Sequence, residues 1–223
     1  GGGRCGSGIV GSAVTTFTPW LGSEPTSAVM GFAVLPVDLA LSQDGSRLAL
    51  LAAGNTGGKL GPLQIMSPDA LNNNRCMPSQ PPPPINNIVA VTYSGNELWV
   101  QTRAPHSLQH LDVNGIGVVG SVALAAGGED RGHTIFHQSS NALLACASCH
   151  PEGGEDGRVW DFVGIGPRRT QSLRGGLSGT APFHWDGDLA DMSALMTEVF
   201  FTRMGGPLGG TVNAGDADAL QGW

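Results

Sequence analysis

Turn-forming residues set the first limit on this chain: 35 glycines and 15 prolines interrupt its 223 residues. That density predicts a loop-rich, turn-rich protein rather than a helical bundle. Hydrophobic residues still make up 40% of the chain, enough to bury a core and too many for disorder. The net charge of −7 argues against a nucleic-acid surface, which needs clustered Lys and Arg, and against an anionic membrane surface. The longest apolar stretch, residues 28–41, is interrupted by Pro36 and Asp38 and is too short to span a bilayer. The chain opens without Met and stops in a helix-like pattern at "DADALQGW", so a longer parent protein is expected.

The first 125 residues predict short strands joined by turns. "VDLALSQDGSRLALLAAG" (37–54) places two apolar runs around Gln43-Asp44-Gly45, a hairpin signal. About fifty residues later, "NIVAVTYSGNELWVQTRAPHSLQHLDV" (87–113) repeats the scheme, with turns at Ser94-Gly95-Asn96 and Ala104-Pro105-His106. This unit resembles a blade of a β-propeller. Residues 1–125 are accordingly expected to be a strand-rich, β-propeller-like region, incomplete because a closed propeller needs at least about four blades. Such a region could also receive a protein partner. Pro81 to Pro84 predict a stiff polyproline loop. Cys5 and Cys76 form the simple disulfide pairing for an oxidising compartment.

From about residue 126 the texture changes. A helix is expected around 132–138, and a second over 188–206, where Leu189, Met192, Leu195, Met196, Val199, Phe200 and Arg203 follow helical spacing. Gly205-Gly206-Pro207 stops that helix, and a last helix begins at "AGDADALQGW". Residues 126–223 are therefore expected to form a small, glycine-rich all-α domain with its last helix truncated, giving an α+β multidomain chain.

Between the first two helices lies Cys146-Ala-Ser-Cys149-His150. C-x-x-C-H is the attachment signature of c-type haem. Two thiols a short turn apart add across the haem vinyl groups as thioethers, and the adjacent imidazole becomes the proximal iron ligand. Zinc would need two further ligands; His133 and His137 have i, i+4 spacing and could offer them. A redox dithiol expects a βαβ context, which the sequence lacks. The haem reading fits best, with one covalent haem c. Met204, at a helix end beside Gly205 and Gly206, is the preferred sixth ligand, and Met196 the second choice. Arg168, Arg169 and Arg174 form a basic cluster, and guanidinium suits haem propionates. His184 could order a propionate or a neighbouring loop. The Asp spacing in "DGDLAD" (186–191) hints weakly at calcium.

Three ordered motifs in residues 127–223 carry a further resemblance: "RGHTIFHQSSNALLACASCHPEG", "RRTQSLRGGLSGTAPFHWDG" and Met204-Gly205-Gly206. Together they resemble the C-terminal haem domain of the bacterial dihaem cytochrome c peroxidase/MauG family. The resemblance implies that residues 126–223 are a small all-α cytochrome c domain, that Met204 is the distal ligand of an electron-transferring haem, and that the protein is periplasmic or extracellular; a redox partner protein is expected. With one C-x-x-C-H, electron transfer is the expected function. A dihaem peroxidase-like enzyme with its second haem elsewhere, and a propeller-based binding protein with an accessory haem, are the alternatives.

Overall fold

The computed structural model describes residues 11–17, 20, 30, 33–55, 61–72, 85–112, 117–125, 127–207 and 215–223. Cys5, Cys76 and Pro81 to Pro84 lie outside the described residues, and the disulfide and polyproline expectations with them. The chain divides into two compact units, Gly1–Glu129 and Asp130–Trp223.

The first unit is built of antiparallel meanders. Strands β1 (Pro36–Leu41), β2 (Leu48–Ala52) and β3 (Leu63–Met66) form a three-stranded sheet in that order. β4 (Ile88–Ser94), β5 (Glu97–Arg103), β6 (His106–Leu111) and β7 (Val118–Ala123) form a four-stranded one. β2 is a continuous apolar run buried along its whole length. Its alternating side chains serve two cores. Ala49 and Leu51 join Val91, Leu98, Val100 and Leu111 of the second sheet, while Leu48, Leu50 and Ala52 join Met30, Ala33 and Leu71. β5 instead alternates buried and exposed positions, as a strand with one core face should. On its other face Trp99 stacks on the directly opposed His110, with ring centroids 4.7 Å apart.

Polar side chains register the two sheets. Asp38 sits where β1 bulges and accepts a hydrogen bond from the Val91 amide of β4 at 2.9 Å. The β1–β2 turn also meets the β4–β5 turn. Gln43 N–H donates to the Gly95 carbonyl at 3.0 Å, and Asp44 N–H donates to Asn96 Oδ1 at 3.3 Å.

The second unit corrects the expected fold class. It is not a small all-α cytochrome c domain. Its helices are short: α1 (Arg131–His137), α2 (Met192–Leu195), which a π-helical turn continues over Met196–Arg203, and α3 (Asp216–Gly222). A β-hairpin, β8 (Val159–Phe162) with β9 (Gly166–Arg169), lies between α1 and α2. Among the described residues, nine β-strands outweigh three short α-helices. The physical reason is backbone punctuation. Gly153, Gly157, Gly164, Gly166, Gly175, Gly176 and Gly187 all adopt positive φ, and each such residue ends a right-handed helix. Nor do the described strands form a closed propeller, since two sheets of the first unit fall short of the about four blades closure requires.

α1 begins at Asp130, whose side chain caps it by accepting from the His133 amide at 3.0 Å. It packs on α3 at Gly132, where an added Cβ would land on the Ala219 carbonyl oxygen and the Trp223 Cβ. Beside this crossing, Arg131 donates two hydrogen bonds to the buried Asp216 carboxylate, at 2.7 and 2.9 Å. Ile135 of α1 is fully buried against Met196, Phe200 and Met204. Those three recur every four residues, and the widened π-turn keeps all of them on one buried face.

Two outcomes follow for stability. Gly132→Ala should force α1 and α3 apart and lower unfolding free energy by about 1–3 kcal/mol, measured by urea denaturation of the full chain. In the first unit, hydrogen bonds from Ser42 and Ser46 hold the Asp44 carboxyl at about 2, below its ordinary 3.8. A depressed folded-state pKa stabilises above the unfolded value and loses that contribution as pH falls through the folded one. The Ser46 amide signal in NMR should therefore titrate with a midpoint near 2, and Asp44→Ala should abolish that step; a midpoint near 3.8 would refute the assignment.

Candidate functional site

The cysteine motif opens a series of tight turns. Ser140 N–H and Oγ–H both donate to the Leu144 carbonyl, at 2.9 and 2.8 Å. Ala145 N–H then donates to Ser148 Oγ at 3.0 Å, while Ser148 N–H returns a bond to the Ala145 carbonyl at 3.0 Å. This reciprocal pair closes a 3-10 turn over Cys146–Ser148. Cys149 and His150 amides both donate to the Cys146 carbonyl, at 3.2 and 3.0 Å. Small residues are required between the cysteines: Ala147 is buried, as is Ala145 before them.

The three functional side chains share a sheltered setting. Cys146 lies against the buried cluster of Ile135, Met196, Phe200 and Met204. Burial pushes its thiol up to about 12. Cys149 is also raised by burial, with the Asp156 carboxylate adding to the effect. Both thiols are free. Burial lowers the pKa of His150, opposed by the nearby backbone of Gln171 and Gly154. Its Nδ1 is buried without a hydrogen-bond partner among the described residues. The motif thus presents two protonated thiols and a neutral imidazole. Raised thiol pKa values are the reverse of what a dithiol redox couple needs.

Behind the motif, Leu173 N–H donates to the Gly153 carbonyl at 2.8 Å and Arg174 Nε–H to the Glu152 carbonyl at 3.2 Å. Arg174 therefore lies beside the motif. The Arg168 guanidinium donates to the Pro167 carbonyl at 3.1 Å and stands 3.8 Å from Asp186. Arg169 makes a paired contact with Glu155, at 2.7 and 3.1 Å. His184 pairs with Asp188 at 2.9 Å, away from the cysteines. Within β8–β9, Trp160 Nε1–H is shared between Asp156 Oδ2 at 2.9 Å and Thr170 Oγ1 at 3.1 Å. Sequence reading missed this anchor, because the hairpin between 159 and 169 carries weak strand signals.

The expected metal-binding character is corrected in one respect. Among the described residues, no group of three or more His, Cys, Asp or Glu side chains could hold a metal ion. His133 and His137 stack on each other, with centroids 3.9 Å apart, and His137 Nδ1 bonds the His133 carbonyl at 2.8 Å. They supply no zinc pair to the cysteines. The aspartates of 186–191 likewise form no calcium cluster: Asp188 is engaged by His184, and Asp191 caps α2 by accepting from Ala194 N–H at 2.8 Å. No described helix is long and apolar enough to cross a membrane.

No protein-family model matches the sequence, and no curated protein matches it either. Among solved structures, it is similar to KlHsv2 with loop 6CD replaced by a Gly-Ser linker, at 18% identity and a TM-score of 0.28, covering 43% of this chain and 28% of that one. It is also similar to Hsv2 of Kluyvelomyces marxianus, at 16% identity and a TM-score of 0.29, covering 44% of this chain and 27% of that one. At these scores neither likeness defines the fold. The labels cytochrome and peroxidase, expected from the sequence, receive no support from these relatives.

Proposed function

We propose that the second unit carries one covalently attached haem c and transfers electrons to a redox partner protein outside the cytoplasm. Cys146 and Cys149 would hold the haem by thioether bonds, and His150 and Met204 would ligate its iron. When bound, the iron supplies a reversible one-electron couple between ferric and ferrous states. The observation that carries this reading is the convergence of Cys146 with the two distant thioethers, Met196 and Met204, at one buried cluster.

The chain's own residues define the remaining tasks. Apolar Ile135 and Phe200 keep water from the cluster. Arg174 stands beside the motif with its guanidinium turned to the Glu152 carbonyl, suited to receive a carboxylate such as a haem propionate. Arg168, already paired with Asp186, is the weaker candidate for that task. A thioether ligand closes the sixth position and raises the potential, which suits electron transfer over peroxide turnover.

Haem staining of a denaturing gel, on protein produced with a covalent haem-attachment system, tests the reading. Wild type should give a stained band, and the Cys146→Ala/Cys149→Ala double variant should give none. Met204→Ala should abolish the methionine–iron absorption band, while Met196→Ala should keep it. An unstained wild-type band would refute the proposal.

A further inference from the structure

Between α1 and the cysteine motif, residues 140–142 grip the turn that follows the π-helical segment. Ala142 N–H donates to the Met204 carbonyl at 3.0 Å, and Asn141 N–H to the Gly206 carbonyl at 2.9 Å. The Asn141 carboxamide donates to the Gly205 carbonyl at 2.6 Å and reaches the Pro207 carbonyl at 3.4 Å. Ser140 and Pro207 complete the junction as a β-bridge. Thus four successive carbonyls, from Met204 to Pro207, are bound by two residues. Positive φ at Gly205 and Gly206, 74° and 71°, folds the turn so that this is achieved. The approach is close: a Cβ on Gly205 would come within 3.0 Å of the Asn141 Cβ.

Asn141 is exposed and contributes nothing to the apolar cluster. Its side chain therefore acts on the turn alone. Met204 caps the π-helical segment, its amide donating to the Val199 carbonyl at 2.9 Å and that of Gly206 to the Phe200 carbonyl at 2.8 Å, while the carbonyls of 204–207 have no helical partner ahead of them. Left to itself, a helix end frays. We infer that Asn141 is the positioning residue for Met204, fixing the 204–207 turn against the segment that leads into Cys146. One side of the site is thereby tied to the other by main-chain carbonyls and one carboxamide. The thioether is placed before any haem is attached. The purpose of this clip rests on the haem reading above; its existence as a clip does not.

The test uses Asn141→Asp, which keeps the shape but replaces the donating amide by a carboxylate facing carbonyl oxygens, and Gly205→Ala, which crowds the same contact. In the haem-free full chain, methionine oxidation by hydrogen peroxide is followed by peptide mass mapping. Each variant should speed oxidation of Met204 by about three- to ten-fold, with Met196 and Met66 at wild-type rates. An unchanged Met204 rate in both variants, or an equal rise at Met196, would overturn the inference. In haem-loaded protein, Asn141→Asp should weaken the methionine–iron band, and undiminished intensity would count against it equally. Should the chain carry no haem, the oxidation measurement still decides the role of Asn141, so the two readings fail separately.

Discussion

A buried carboxylate sets the terms for the second unit. Asp216 is 1% exposed, and a charge so placed is tolerated only when paired and hydrogen-bonded. The planar guanidinium of Arg131 meets it with two donors. That requirement fixes α3 against α1, and Gly132 allows the two backbones to touch. With α1 held, Ile135 presents its side chain to Met196, Phe200 and Met204. The cysteine motif follows α1 after residues 138–145 and packs Cys146 against the same cluster. Packing here is secondary to a polar bond that admits few alternatives.

The first unit is organised by a similar economy of polar contacts. β2 is buried on both faces and lends side chains to two cores. Apolar packing of that kind is non-directional and leaves relative sliding of the two sheets cheap. Asp38 and the interlocked turns at Asp44 and Asn96 remove that freedom, because hydrogen bonds fix register where dispersion does not.

Much of this was legible in the sequence. The hairpin around Gln43-Asp44-Gly45 and the strands on either side of Ser94-Gly95-Asn96 carry period-two patterns and strong turn residues, and pair as such patterns do. α1, Arg131–His137, falls close to the helix expected around 132–138. The haem expectation rests on the type and spacing of the cysteine motif. The second unit's architecture was not legible. The helix expected over 188–206 starts only at Met192, because Asp191 is its cap and the preceding residues form a bridge between Phe183 and Leu189. Its second half widens into a π-turn, which periodicity alone does not distinguish from an α-helix. The β8–β9 hairpin depends on Trp160 finding Asp156 and Thr170, a contact between side chains rather than a run of β-formers.

What the sequence determined by itself was local: where turns fall, which runs are apolar, and that two thiols and an imidazole stand within one turn of each other. Those follow from backbone preferences and from residue type. What only tertiary structure decided was company. Met204 and Cys146 are distant in the chain, and no spacing rule joins them. They meet because Asn141 holds the carbonyls of one segment and Asp216 holds the helix before the other. The same contacts chose among the arginines, leaving Arg174 beside the motif and committing Arg168 and Arg169 to Asp186 and Glu155. Charge and type made all three eligible; hydrogen-bond geometry in three dimensions separated them.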